Sequence, residues 1–287
     1  MQAFHYVNSL SECPVTVKEV RVPSFSVPWH FHSECELVLV LDSYGKRIVG
    51  DHIGNFTAGD LVFMGPDLPH VWYNDPEYHH RNSSLTAHAV VVYFKSEWLG
   101  NSFFGLAEAA RLNELLVNAK RGMRIGGQTQ LLIKEKMQRL PGLQGLKQVI
   151  ELLGILDILS HSKEYDYLAS VGFTHSFNET DVQRINRVYQ YVMQHFNRKI
   201  QLEEAARVAN MTPNAFCRYF KMRTQKTFSS FVNEVRVGYA CKLLLSKDYS
   251  ITEICFESGF QNLTNFNKFF KLFTGQNPSG YRRNFVE

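Results

Sequence analysis

His30, His32 and Glu36 fall close together in WHFHSECELVLV, and His70 follows a Gly-Pro turn in GDLVFMGPDLPHVW. Imidazole and carboxylate side chains donate, accept and exchange protons, so these four residues make a candidate polar site. Alternate residues of a strand share a face, so a strand through this segment would line one wall with His30, His32, Glu34 and Glu36. His70 would join them from a neighbouring strand. Two chemistries fit these residues as they stand. They could hydrogen-bond a small polar effector such as a sugar, with Trp29, Trp72 and Tyr73 stacking on its apolar face. Alternatively they form a polar cluster that fixes the core. The pair His79 and His80, in NDPEYHHRNSS, reads as solvated loop.

A second set of side chains suits a different task. QLEEAARVANMTPNAFCRYFK reads as an amphipathic helix, a break at Asn210, and a new helix opened by Thr212 with Pro213 in its first turn. Asn tolerates the left-handed conformation, Thr caps helices, and Pro is accepted at the first helical position. Ala205 and Ala206 let the first helix approach the second, Phe216 and Phe220 face a shared core, and Asn214, Cys217, Arg218 and Lys221 occupy the opposite face. The design recurs in SITEICFESGFQNLTNFNKFFKLFTG. Ile251, Ile254 and Cys255 point inward there, Gly259 makes the turn, and Phe266, Phe269 and Phe270 point inward on the next helix. Thr264, Asn265, Asn267, Lys268 and Lys271 point outward. Arg pairs with guanine and Asn with adenine, whereas Lys mainly holds phosphate. Double-stranded DNA is the partner these faces fit. Between the copies, FSSFVNEVRVGYACKLLLS reads as one helix. At ~1.5 Å per residue it spans roughly 28 Å, enough to hold two recognition helices about one DNA turn (~34 Å) apart.

The elements that position these residues divide by pattern. From Val17 to about Phe94 the chain alternates short β-branched and aromatic runs with Gly, Pro and Asp, the signature of a small antiparallel barrel or sandwich. From Phe103 the apolar spacing becomes helical through GLAEAARLNELLVNAKRG, TQLLIKEKMQRL and GLKQVIELLGILDILSHSK. The last of these needs burial, in the core or against a partner chain. GFTHSFNETD, at 172–181, is polar and reads as a linker, with Asn178, Thr180 and Asp181 suited to a helix start. The expected organisation is an effector-binding barrel over 1–98, a helical dimerisation section over 99–171, the linker, and a DNA-binding domain over 182–287.

Charge follows the same division. Residues 181–287 hold 16 Lys and Arg against 8 Asp and Glu, within a chain of 31 against 27. A basic module beside a slightly acidic one implies a polyanion-binding part and a part with another task. The 5 cysteines are scattered and show no CxxC spacing, which argues against a disulfide framework or a thiolate zinc site. No apolar run approaches the ~20 residues that span a bilayer, and the first residues lack a signal-peptide pattern, so a cytoplasmic protein with no membrane partner is expected. No Ser-His-Asp or nucleophilic Cys arrangement and no Gly-rich phosphate loop is present.

AARVANMTPNAFCRYFK, SITEICFESGFQNLTNFNKFFK and TGQNPSGYRR together closely resemble the AraC/XylS family of bacterial regulators over about the last hundred residues, most specifically through Ile254, Gly259, Phe260, Phe266, Phe270, Lys271, Pro278, Tyr281 and Arg282. The resemblance implies two helix-turn-helix subdomains joined by a long helix, each placing its second helix in the major groove. It also implies a transcription regulator, with activation through RNA polymerase favoured over repression. Asn210 and Gln225 depart from the pattern, standing where family members often or usually have Gly. The HxHxxxE spacing and later His70 resemble a cupin barrel over about residues 20–95; in metal-binding cupins the matching positions are the ligands, so the resemblance implies a three-imidazole, one-carboxylate site for a divalent metal at His30, His32, Glu36 and His70. The fold expected is therefore α+β and multidomain: a cupin-like antiparallel β-barrel with a helical dimerisation section, then an all-α double helix-turn-helix. The function expected is a homodimeric, effector-responsive DNA-binding regulator. The rival is a metal-dependent cupin enzyme with a helical tail, a reading that leaves the basic doubled motif unexplained.

Overall fold

Apolar runs such as ELVLVL are continuous because the strands they form are covered on both sides. The computed structural model describes residues 14–80, 83–171, 173, 179–245 and 249–286, and the chain divides into two compact units, 1–176 and 177–287. In the first unit the strands are β1 (Val15–Val22), β2 (Cys35–Asp42), β3 (Gly45–Val49), β4 (His52–Phe56), β5 (Leu61–Met64), β6 (His70–Asn74), β7 (Ala87–Phe94), β8 (Met123–Ile125) and β9 (Tyr165–Tyr167). They form a six-stranded sheet, ordered β1-β7-β2-β5-β8-β9, and a three-stranded sheet, β4-β3-β6, with antiparallel pairing throughout.

Side chains of the large sheet alternate between two cores, as strand geometry requires. Leu37, Leu39, Leu61, Phe63, Val90 and Val92 pack with the helices α2 (Ala110–Ala119), α3 (Gly127–Arg139) and α4 (Leu146–His161), through Leu115, Ile133, Met137, Ile155 and Leu159. A short α1 (Gly100–Phe104) precedes them. The alternate residues Val38, Val40, Val62, Met64, Ala89 and Val91 pack instead with Val49, Phe56 and Trp72 of the small sheet. The histidines lie on that second side.

Three expectations need correction. The described residues form two separate sheets rather than one closed barrel, and an isolated bridge pairs His30, ahead of β2, with His70 of β6. The chain leaves the large sheet after Asp42, where the pairing of β2 with β7 is already irregular, and at Gly45 a Cβ would lie 2.1 Å from the Tyr73 carbonyl oxygen. That tight passage hands the chain to a second layer instead of extending the first. Residues 99–171 are not wholly helical either, since β8 and β9 extend the large sheet. Three-residue strands carry no readable period. Third, the 172–181 segment, whose residues 172 and 174–178 lie outside the described residues, runs into a helix that begins at Glu179.

The second unit is all-α: α5 (Glu179–His195), α6 (Leu202–Val208), α7 (Pro213–Thr224), α8 (Phe228–Leu245), α9 (Ile251–Glu257), α10 (Leu263–Thr274) and α11 (Pro278–Val286). Asp181, assigned to the linker by sequence, is buried in α5, pairs with Arg223 at 2.5 Å, and accepts the Tyr219 hydroxyl on its carbonyl at 3.1 Å. Two aromatic cores hold the unit. Tyr189, Phe216, Phe220, Phe228 and Phe231 contact one another around α7, and Phe260, Phe266, Phe270 and Tyr281 do so around α10. Each buried Phe contributes roughly 1.5–3 kcal/mol. Among the described residues no helix is long and apolar enough to cross a membrane.

Candidate functional site

The helix pairs α6–α7 and α9–α10 are built alike. Ala205, Ala206 and Ala209 are buried where α6 approaches α7, as are Ile254 and Cys255 of α9. The turns use left-handed residues at matching places, Asn210 (φ 54) and Gly259 (φ 85). Gly259 has no alternative, because a Cβ there would lie 2.2 Å from the Phe196 carbonyl oxygen. Each second helix then opens from an extended N-cap, Thr212 or Asn262. Only Asn262 makes the side-chain cap, accepting the Asn265 N–H at 2.8 Å. Each closes on a Thr hydroxyl donated to a carbonyl one turn back, Thr224 to Phe220 and Thr274 to Phe270, followed by a left-handed residue, Gln225 or Gly275.

That construction decides which faces stay open. On α7, Phe216 and Phe220 are fully buried and Asn214, Cys217, Arg218 and Lys221 are exposed. On α10, Phe266 and Phe270 are fully buried and Thr264, Asn265, Asn267, Lys268 and Lys271 are exposed, while Phe269 is half-buried. All nine residues singled out for DNA lie on the exposed faces of the second helices. The connecting α8 runs 18 residues, matching the single long helix expected between the copies. Sequence reasoning marked a helix start at Asn178, Thr180 and Asp181, where α5 begins, but did not trace α5 or α11, whose Tyr189 and Tyr281 pack into the two aromatic cores. The Thr-Gln and Thr-Gly pairs that close α7 and α10 were a repeat signal within reach of sequence alone.

The first unit gathers His30, His32, Glu36 and His70, each buried, with one donor atom from each lying within 4.8 Å of the others. Glu36 comes from β2 and His70 from β6. His30 and His32 do not lie on a strand as expected. They sit in the irregular segment before β2, which is pinned by paired backbone bonds between His30 and His70 (3.1 and 2.9 Å) and by the Asp67 N–H donating to the His32 carbonyl at 2.7 Å. Glu34 is buried too, but stands 3.5 Å from His32 Nδ1, on the far side of that ring from Glu36.

Every Nδ1 of the three rings faces a backbone carbonyl: His30 that of Pro28 at 2.8 Å, His32 that of Glu34 at 3.2 Å, and His70 that of Leu68 at 2.7 Å. A carbonyl only accepts, so each Nδ1 carries the proton and donates, leaving Nε2 with a lone pair. Glu36 Oε2 lies 2.8 Å from His32 Nε2 and 2.9 Å from His70 Nε2, the latter without hydrogen-bond alignment. Electron pairs therefore converge on one point. Without a cation the cluster must find a proton: burial opposes charge on His32, but the hydrogen bond and charge of Glu36 outweigh it and raise its pKa. Burial likewise opposes the charge on Glu36, and His70 and His32 hold it well below the usual carboxylate range. His30 is lowered to about 3 by burial, with His70 adding to the effect.

Beside the cluster, between the two sheets, lies a cavity of about 220 Å³. Trp72 forms part of its wall, whereas Trp29 and Tyr73, expected to stack there, do not reach it. His79 and His80 are exposed.

A helix-turn-helix domain family matches residues 205–284. Uncharacterised HTH-type transcriptional regulators of Staphylococcus aureus are 27% identical over 139 residues, 48% of this chain but only 18% of theirs. The chain thus spans about a fifth of the length of those relatives. The Msm operon regulatory protein of Streptococcus mutans is 20% identical over 85% of this chain and 82% of its own length, and the uncharacterised HTH-type transcriptional regulator YdeC of Bacillus subtilis is 25% identical over 90% and 86%. Among solved structures, the C-terminal domain of AraT, a response regulator from Geobacillus stearothermophilus, is 30% identical over 35% of this chain and 84% of that one, with a TM-score of 0.34. ToxT from Vibrio cholerae O395 aligns over 95% and 98% at 11% identity and a TM-score of 0.38, too low to carry detail across. The doubled motif is thus matched by a helix-turn-helix domain family over residues 205–284, and YdeC, which this chain resembles over most of its length, is named as a transcriptional regulator.

Proposed function

We propose that this chain regulates transcription by sequence-specific binding to double-stranded DNA, under the control of a small effector held in its N-terminal unit. The observation that carries the DNA half is the pair of solvent-facing helices, each set on its own aromatic core with Arg, Lys, Asn and Thr outward. In this reading Asn214, Cys217, Arg218 and Lys221 contact one major-groove segment, and Thr264, Asn265, Asn267, Lys268 and Lys271 contact the next. Exposed Leu131 and Leu132 on α3 and Leu146 and Ile150 on α4 support pairing of two copies through the helical section. Activation through RNA polymerase, in the cytoplasm, completes the reading.

The test uses DNA from upstream of the protein's own coding region, titrated against scrambled competitor across a salt series. Specific affinity should weaken as salt rises, as phosphate contacts require. Arg218→Ala and Asn265→Ala should each cost about 1–3 kcal/mol of discrimination with unchanged helicity. Wild-type affinity in both variants would remove the contact assignment.

The cupin-like cluster fits a divalent cation, and this second reading also rests on a specific observation. Three Nδ1–H groups tied to carbonyls fix three Nε2 lone pairs toward one carboxylate, the outer-sphere arrangement that orients metal-binding histidines. His30, His32, Glu36 and His70 would hold the ion, which would supply positive charge and Lewis acidity at the cavity's edge.

A further inference from the structure

The inter-sheet cavity has a histidine-lined polar end and walls that are mainly apolar, with Ser26 among them. Val20 of β1, Phe25, Val38 of β2, and Ala89 and Val91 of β7 form the apolar part, and His30, Glu36 and His70 form the polar end. Lys18 also lines the cavity, with its ammonium 5.3 Å from the centre of the Tyr93 ring. Tyr93 in turn lies 5.4 Å from His32, so the lysine leans toward the histidine end. Trp72 stands 5.9 Å from His70 in the opposite wall, and its indole N–H is buried without a hydrogen-bond partner among the described residues.

A sugar fits these walls poorly. Each of its hydroxyls needs a partner when taken out of water, and Val20, Val38, Ala89 and Val91 offer none. The volume is also below the ~300–1,000 Å³ of pockets for drug-sized ligands. What the walls do offer is mainly apolar surface, the Ser26 hydroxyl, the Lys18 cation and the Trp72 N–H, which has no partner among the described residues. The charge of Glu36 is already engaged by His32 and His70. Building on the effector reading above, we propose that the ligand of this cavity is a small monocarboxylate with a compact aliphatic or aromatic body. Its carboxylate meets the Lys18 ammonium and the Trp72 N–H, and its body lies against Phe25, Val38 and Val91. A cation held by the histidines adds to the attraction.

Hexanoate and benzoate are the probes, titrated calorimetrically into the full chain beside hexan-1-ol and D-glucose. Both acids should bind, hexan-1-ol at least ten-fold more weakly, and glucose not at all. Lys18→Met and Trp72→Phe should each weaken hexanoate at least five-fold with melting unchanged, and Val38→Phe, which fills the cavity, should abolish binding. Hexan-1-ol binding as tightly as hexanoate, or no acid binding, overturns the assignment. So does acid binding that survives both Lys18→Met and Trp72→Phe. Glucose binding that Val38→Phe removes overturns the ligand class while leaving an effector cavity in place. Hexanoate binding that leaves operator affinity unchanged keeps the ligand class and removes the effector reading.

Discussion

His30 shows how much one residue contributes to the pH response of the first unit. In the unfolded chain its proton binds near pH 6.5, whereas in the fold burial and the neighbouring His70 lower that value to about 3. Between those values the unfolded state holds a proton that the folded state refuses, so stability is lost as pH falls through the window. Glu36, lowered by His70 and His32 against its burial, likewise contributes above about pH 4.5 and loses that contribution in acid. His32 runs the other way, its contribution present below about pH 6.5 and lost as pH rises through its raised value. The metal-free protein should lose up to about 1.4 kcal/mol of stability per pH unit between pH 6.5 and 4.5 from His30 alone. His30→Gln should flatten that slope. Tryptophan fluorescence reads it cleanly, because all 3 tryptophans, Trp29, Trp72 and Trp98, lie in the first unit. An equal slope in the variant would place the proton uptake elsewhere.

Helix ends make a separate comparison possible, since the two copies differ at one matched position. Gln225 closes α7 at φ 57, and Gly275 closes α10 at φ 74. A left-handed residue other than Gly costs roughly 1–2 kcal/mol, and Gly returns part of that as extra freedom in the unfolded chain. Gln225→Gly should therefore stabilise the second unit by about 0.5–1 kcal/mol in denaturant titration, little of it offset by the exposed Gln225 bond to the Met222 carbonyl. Gly259→Ala should cost about 3 kcal/mol, through strain and the clash with Phe196. No change in either variant would contradict these backbone angles. These helices were legible in sequence because Ala205, Phe216 and Phe220 repeat at helical spacing and Asn210 and Gly259 punctuate them. Of α5 only the start was legible, at Asn178, Thr180 and Asp181, and its polar composition there merged it with the linker. The gathering of His30, His32, Glu36 and His70 was legible as spacing. The segment carrying the first two was not, because its shape comes from backbone bonds to Asp67 and His70, remote in sequence. The cavity's apolar walls were equally hidden, since Val38 and Val91 read only as core.

As a whole molecule the chain should unfold in two steps, one per unit, because each has its own core. A divalent metal at 100 times its Kd should stabilise only the step seen by tryptophan fluorescence, by about 2.7 kcal/mol, and a chelator should reverse the gain. Circular dichroism should report the all-α unit unfolding unchanged. A shift of both steps, or of neither, would remove the histidine cluster as the binding site. The large sheet that separates the cavity from the helical layer has a consequence for how this protein diversifies. It is one strand layer thick, so cavity wall and helix seat are interleaved residue by residue: Glu36 and Val38 face one side of β2, Leu37 and Leu39 the other. The cavity lining can therefore drift through even positions of β2 and odd positions of β7 while the intervening residues keep the helices in place. Selection acting on the cavity, natural or in the laboratory, has a short and separable set of sites on which to act.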